Sequence, residues 1–215
     1  MIEVNALDVH SPDGRLLLEH LSFKLGESDR LAFTGPNGCG KSTLLRCIAG
    51  LEGQVNKINR SLPLTETAYL PTRPLDLLLP WGSVRENIDF FKSAVNKRTK
   101  KSKTETETFS GFFRALDYSP GDEDRFHATE VYRLSSGQQA LLAIYCALSQ
   151  LPKLLIADEI FSTLSEQLRS KVAKRLLEQN LTIVCATHDT DFIKSLNASV
   201  FNLDNSISSD EHHDF

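Results

Sequence analysis

The longest uninterrupted apolar run in the chain, Ala140 to Leu148, falls far short of the roughly 20 residues that a membrane-spanning helix needs. Any membrane role is therefore expected to pass through a partner. The opening Met1-Ile2-Glu3-Val4 has neither a basic head nor a long apolar stretch, so no secretory leader is expected. Positive charge is not in excess: 24 Lys and Arg against 28 Asp and Glu leave a net charge of −4. That balance gives no basic field for nucleic acid, and this partner class is set aside. The four cysteines, Cys39, Cys47, Cys146 and Cys185, are scattered without metal-ligand spacing and read as reduced thiols. Internal repeats are lacking, and 215 residues suffice for one compact domain with a sizeable core.

What is present is an alternation of short apolar segments with helical ones. Ile2 to Val9 and Leu16 to Leu25 read as strands joined by an Asp13-Gly14 turn. Arg30-Leu31-Ala32-Phe33 is a short buried strand feeding a glycine-rich loop. A helix is expected over Lys41 to Ala49, with Gly50 as its C-cap. Tyr69-Leu70 ends another short strand ahead of a proline-rich stretch from Pro71 to Pro80. Ser83-Val84-Arg85-Glu86 has capping-box spacing and predicts a helix running through Phe91. Lys97 to Lys103 is a basic run passing into Thr104-Glu105-Thr106-Glu107, expected as a solvated loop, with Glu105 to Tyr118 helical. An apolar helix from Ser135 to Leu148, a strand over Leu154 to Ala157, an amphipathic helix over Ser165 to Gln179 and a strand over Thr182 to Ala186 complete the pattern. Such alternation argues for an α/β fold, a parallel sheet covered by helices. The helical middle, about Pro74 to Leu148, reads as an inserted lobe, and Ser206 to Phe215 as a frayed tail.

Two segments carry chemistry. Gly35-Pro36-Asn37-Gly38-Cys39-Gly40-Lys41-Ser42-Thr43 satisfies the phosphate-loop pattern G-x-x-x-x-G-K-S/T between a strand and a helix. Its glycines let successive backbone N–H groups turn inward around an anion, and the helix N-terminus adds a positive dipole end. Lys41 supplies a point charge for the β- and γ-phosphates and Ser42 an oxygen for Mg²⁺. Lys41 is expected to face solvent when no nucleotide is bound. The second segment, Leu154-Leu155-Ile156-Ala157-Asp158-Glu159, is an apolar strand ending in two carboxylates. Beside a phosphate loop, Asp158 suits the Mg²⁺ water shell, and Glu159 is a candidate general base or water-orienter.

Leu134-Ser135-Ser136-Gly137-Gln138 resembles the L-S-G-G-Q signature of ATP-binding cassette (ABC) ATPases, and Thr187-His188-Asp189 resembles the switch-histidine segment of that family. The order of motifs matches over about residues 1 to 204. The resemblance implies a P-loop core with a mainly parallel sheet, an N-terminal antiparallel β subdomain and the inserted helical lobe, all within one domain over 1–215. It implies two cassettes paired head to tail around two ATP molecules, most simply an ATP-dependent homodimer. Ser135 and Gly137 would then donate to the γ-phosphate across the interface, with Ser136 and Gln138 in the same loop. Glu159 would polarise the attacking water, and His188 would touch the γ-phosphate. Leu78-Leu79-Pro80-Trp81 to Val84-Arg85-Glu86-Asn87-Ile88 is similar to the L-P-W…T-V-x-E-N segment of importer ATPases, which borders the surface that receives the membrane subunit. The expected role is thus that of the ATP-hydrolysing subunit of a transporter, held on the cytoplasmic face of the membrane by integral membrane subunits.

The sequence also departs from the family pattern. The loop glutamine falls on Thr72, whose shorter side chain gives doubtful reach to the metal. The second signature glycine is Ser136, the proline after the glutamate is Ile160, and the interface-loop acid is Ser165. No Tyr or Phe stands in Val9 to Arg15 to stack on adenine; His10 could take that place, but reads first as an exposed loop residue. These changes keep open an alternative, a nucleotide-gated binding module that turns ATP over slowly or not at all. A soluble ABC protein of translation or DNA repair fits less well, since neither a second cassette nor a long coiled-coil insertion is present.

Overall fold

The computed structural model describes residues 2–53, 57–98 and 107–203. Strands β1 (Ile2–His10) and β2 (Leu16–Leu25) pair antiparallel through the expected turn, where the Gly14 N–H donates to the Ser11 carbonyl over 2.8 Å. Next come β3 (Arg30–Thr34), α1 (Lys41–Ala49) and β4 (Ile58–Arg60), the last returning to pair with β1. After β5 (Thr67–Leu70) the described chain is helical, through α2 (Val84–Arg98), α3 (Phe109–Ala115), α4 (Glu123–Ala128) and α5 (Ser136–Leu148). It closes with β6 (Leu154–Asp158), α6 (Glu166–Leu177), β7 (Thr182–Ala186), α7 (Thr190–Ser195) and β8 (Ser199–Asn202).

One sheet is antiparallel, in the order β2-β1-β4, and the other is parallel, in the order β5-β6-β7-β3-β8. The central strands β6 and β7 are buried on both faces, which is why they read as unbroken apolar runs. Their period-2 alternation sorts side chains to two cores. Leu155, Ala157, Ile183 and Cys185 join the core with α5 and α6, while Leu154, Ile156, Val184 and Ala186 join the core with α1 and the antiparallel sheet. Burial pushes the Cys185 thiol up to about 12 and raises the Cys146 thiol further, so both are inert packing groups.

Helix α1 and its cap stand where expected, with Gly50 left-handed at φ 74°. The Ser83–Glu86 capping box is formed: the Ser83 N–H donates to Glu86 over 2.7 Å, and the Glu86 N–H to the Ser83 hydroxyl over 3.2 Å. Helix α2 runs on to Arg98, past Phe91 and into the first residues of the expected basic loop. The helix expected from Glu105 starts instead at Phe109, because the Thr108 side chain caps it by accepting from the Gly111 N–H. Residues 99–106 and the tail from 206 lie outside the described residues.

Trp81 is three-quarters exposed and not a core residue. Its loop is held by Asn87, which is fully buried on α2. The Asn87 carboxamide accepts from the Leu79 N–H at 2.7 Å and donates to the carbonyls of Leu79 at 3.1 Å and Ser83 at 3.0 Å. Asn87→Ala should strand these backbone groups and cost about 3 kcal/mol of stability. Urea unfolding is the measurement, with exposed Arg85→Ala as a control expected to stay within about 0.5 kcal/mol.

Candidate functional site

In a parallel sheet all carboxyl ends lie on one edge, and here the motifs sit just beyond four neighbouring strand ends. Strand β5 leads to Thr72, β6 to Asp158 and Glu159, β7 to His188, and β3 to the phosphate loop. Pro36, Asn37 and Gly38 at the tip of that loop are exposed, whereas Cys39, Gly40 and Lys41 are buried. Gly40 has φ 104°, a conformation that strains any other residue, and a Cβ there would also crowd Leu17 Cβ at 3.1 Å.

Lys41 does not face solvent as expected. It is only 6% exposed, and Nζ donates to the loop's own carbonyls, Gly35 at 2.8 Å and Pro36 at 3.0 Å. A buried ammonium needs partners, and without phosphate it takes these. Glu159 Oε1 lies 3.8 Å from the same Nζ and 3.6 Å from Nε2 of His188. His188 is half exposed, and its segment is fixed on either side. The Thr187 N–H donates to Phe33 at 3.3 Å, and Asp189 caps α7 and pairs with Arg169 at 3.0 Å. Glu159 itself has φ 50° and ψ 7°, the left-handed region. Its carbonyl accepts from the Ser162 N–H at 3.0 Å and hydroxyl at 2.7 Å, which holds that conformation.

Asp158 is buried, and its two oxygens differ. Oδ2 accepts from the Thr72 hydroxyl at 3.0 Å and lies 3.5 Å from the Tyr69 hydroxyl, whereas Oδ1 is buried without a partner. Ser42, Tyr69, Thr72 and Asp158 line one cleft of about 690 Å³. Among the described residues no cluster of three or more His, Cys, Asp or Glu could hold a metal alone. A hydroxyl, an unpartnered carboxylate oxygen and added phosphate oxygens fit Mg²⁺, which prefers few protein ligands and keeps its waters. Ser42 and Asp158 therefore remain the residues that would hold it.

The signature residues start α5, where a Cβ on Gly137 would stand 3.5 Å from the Thr163 carbonyl in the turn after Glu159. Ser135 caps α5 in a capping box: its N–H donates to the Gln138 side chain at 3.0 Å, and the Gln138 N–H to its hydroxyl at 3.3 Å. Ser135 and Ser136 are exposed, and Gly137 and Gln138 half-buried. Among the described residues no hydrogen bond or ion pair joins them to Lys41, Asp158, Glu159 or His188. Ser165 caps α6, accepting from the Leu168 N–H at 3.4 Å. His10 ends β1 rather than lying in the loop, and is exposed. The sequence reading passed over Tyr69 and Gln139. Tyr69 could have been found from strand alternation, since β5 lies beside β6 and buries Ala68 and Leu70. Gln139 donates to the carbonyls of Val131 and Leu134, both at 3.1 Å, and so holds the signature loop.

Comparison with known proteins agrees with this arrangement. The chain is 31% identical over 193 residues to an Fe(3+) ions import ATP-binding protein of Haemophilus influenzae, an overlap of 81% of this chain and 51% of that one. It is 32% identical over 187 residues to an aliphatic sulfonates import ATP-binding protein of Pseudomonas savastanoi pv. phaseolicola, covering 83% of this chain and 70% of that one. The chain thus spans about half the length of the iron-import relatives it matches. Among solved structures, cbiO1 of Clostridium perfringens superposes with a TM-score of 0.70 at 25% identity, covering 94% of this chain and 84% of that one. The ATP-binding cassette MJ0796 does so with a TM-score of 0.71 at 20% identity over 94% of both chains, a likeness of fold. A family model described as ABC transporter matches residues 18–162. This chain therefore belongs to the ABC transporter family.

Proposed function

We propose that the chain is the ATP-binding and ATP-hydrolysing subunit of an import system whose membrane-spanning parts are other chains. One observation carries the chemistry: Lys41, Glu159 and His188 meet at the mouth of the phosphate loop, within 4 Å contacts of one another through the Glu159 carboxylate. Nucleotide phosphates would draw Lys41 Nζ from the Gly35 and Pro36 carbonyls. Glu159, released from that ion pair, would accept a hydrogen bond from water and take its proton as the water oxygen bonds to the γ-phosphorus and the bond from that phosphorus to the β–γ bridging oxygen breaks, releasing ADP and phosphate. His188 Nε2 donates to a γ-phosphate oxygen, steadying the charge that builds there. Mg²⁺, when bound between Ser42 and Asp158, supplies neutralising charge to the β- and γ-phosphates.

Exposed Ser135 and Ser136, which among the described residues make no hydrogen bond to Lys41, Glu159 or His188, support pairing of two cassettes, most simply two copies of this chain. Residues 74–148 then serve as a lobe within a single domain that presents them to the partner. No helix among the described residues is long and apolar enough to cross a membrane. The exposed Trp81 loop supports docking on membrane subunits at the cytoplasmic face. The slow-turnover module is a second reading with one observation in its favour. Thr72 is engaged with Asp158 and Ser165 with α6, so neither supplies the glutamine amide or acid usual at its position.

Lys41→Ala should lower Mg-ATP affinity at least about tenfold by calorimetry, a loss of roughly 1.4 kcal/mol. Unchanged affinity would remove the phosphate-loop assignment. Glu159→Gln should stop phosphate release and elute as a dimer in size exclusion with Mg-ATP but as a monomer with ADP. A variant that stays monomeric at saturating Mg-ATP argues against pairing of identical chains. In flotation assays the protein should ignore protein-free vesicles and bind native membranes. Trp81→Ala should weaken that binding roughly tenfold, as loss of an aromatic anchor does.

A further inference from the structure

The two oxygens of Asp158 are unequal although the group is a symmetric anion. A carboxylate's terminal torsion is broad and roughly two-fold, so nothing in the side chain itself decides which oxygen faces a ligand. Here two hydroxyls decide it. The Thr72 hydroxyl donates to Oδ2 over 3.0 Å, and the Tyr69 hydroxyl stands 3.5 Å from the same atom. The Tyr69 hydroxyl is placed to donate to that same oxygen as the longer of the two contacts. Oδ1 is left buried with no partner, a costly state for a carboxylate oxygen unless something else approaches it.

Resting on the nucleotide-binding reading above, we propose that Thr72 is a positioning residue for the metal site, its hydroxyl holding Asp158 Oδ2 so that Oδ1 is the oxygen offered to the Mg²⁺ water shell. Magnesium demands near-octahedral geometry, so a free-swinging carboxylate would hold its hydrate less well. Partners that fix a metal-site group are commonly worth a tenfold or larger factor in metal affinity. Thr72 stands just beyond β5, in the loop that leads to Arg73 and Pro74. A displacement of that loop would therefore reach the metal-binding acid through one hydrogen bond. On this chain the residue at the glutamine position acts on the acid and not on the metal or water directly. Tyr69 is the weaker second donor.

Thr72 is an exposed residue, so its substitution spares the core. The experiment is calorimetric titration with ATP, in EDTA and at graded Mg²⁺, of wild type, Thr72→Val, Thr72→Ser and Tyr69→Phe. Thr72→Val should keep the EDTA affinity within about twofold but shift the Mg²⁺ concentration for half-maximal enhancement roughly tenfold upward. Thr72→Ser, which keeps the hydroxyl, should restore the wild-type response, and Tyr69→Phe should shift it by only about two- to threefold. An unshifted Mg²⁺ response in Thr72→Val, an equal loss with and without Mg²⁺, or no recovery in Thr72→Ser overturns the proposal while leaving ATP binding standing. Wild type that binds no ATP under either condition overturns the nucleotide reading and this one together.

Discussion

The level ends of four parallel strands are what the site depends on. The pairing places Leu70 beside Ala157, Ala157 beside Cys185, and Cys185 beside Ala32. Just past that row the chain delivers Thr72, Asp158 with Glu159, His188 and the phosphate loop. None of these residues is near another in sequence, apart from the two carboxylates. Their convergence follows from register, because a parallel ladder with both faces buried cannot slip without exposing one core or the other. Burial of the two cores on either side of the sheet therefore also fixes the geometry of the chemistry.

Some of this was legible in the sequence for identifiable reasons. Helix α1 carried its own start and stop, a glycine-rich loop before Lys41 and Gly50 after Ala49. The box at Ser83 and Glu86 announced α2, and the apolar runs at 154–158 and 182–186 announced doubly buried strands. Strands β4 and β8 were missed because three and four residues give too little alternation to read. Helices α4 and α7 were missed as well, each only six residues long. Within the site, chemistry was easier to read than contacts. The type of residue at Lys41 says that it wants an anion, but not that it will turn to its own loop's carbonyls in the meantime. The Thr72–Asp158 bond crosses between strands 86 positions apart, and only the pairing of β5 with β6 reveals it.

The exposed Trp81 loop and the signature are also tied together by backbone bonds. Val84 donates to Thr129, Val131 to Gly82, and Tyr132 to Pro80, all within 2.9–3.1 Å. Residues 80–84 are thus zipped to 129–132, and Gln139 clasps the chain between there and Ser135. A force applied at the tryptophan loop would be carried along this ladder and not lost in slack chain. Glu86 and Asn87, which the family resemblance marks as part of a docking segment, turn out to be its scaffolding: one caps α2 and the other pins the loop.

Glu159 stands at φ 50° with a side chain attached, a conformation that costs on the order of 1 kcal/mol or more. The fold thus keeps an unfavourable backbone at the carboxylate proposed to activate water. Glycine there would relax the backbone and remove that carboxylate at once. Under selection for heat resistance alone, this position would drift toward the residue that ends turnover. On the proposed role of Glu159, durability and catalysis are opposed in this molecule at a single Cα.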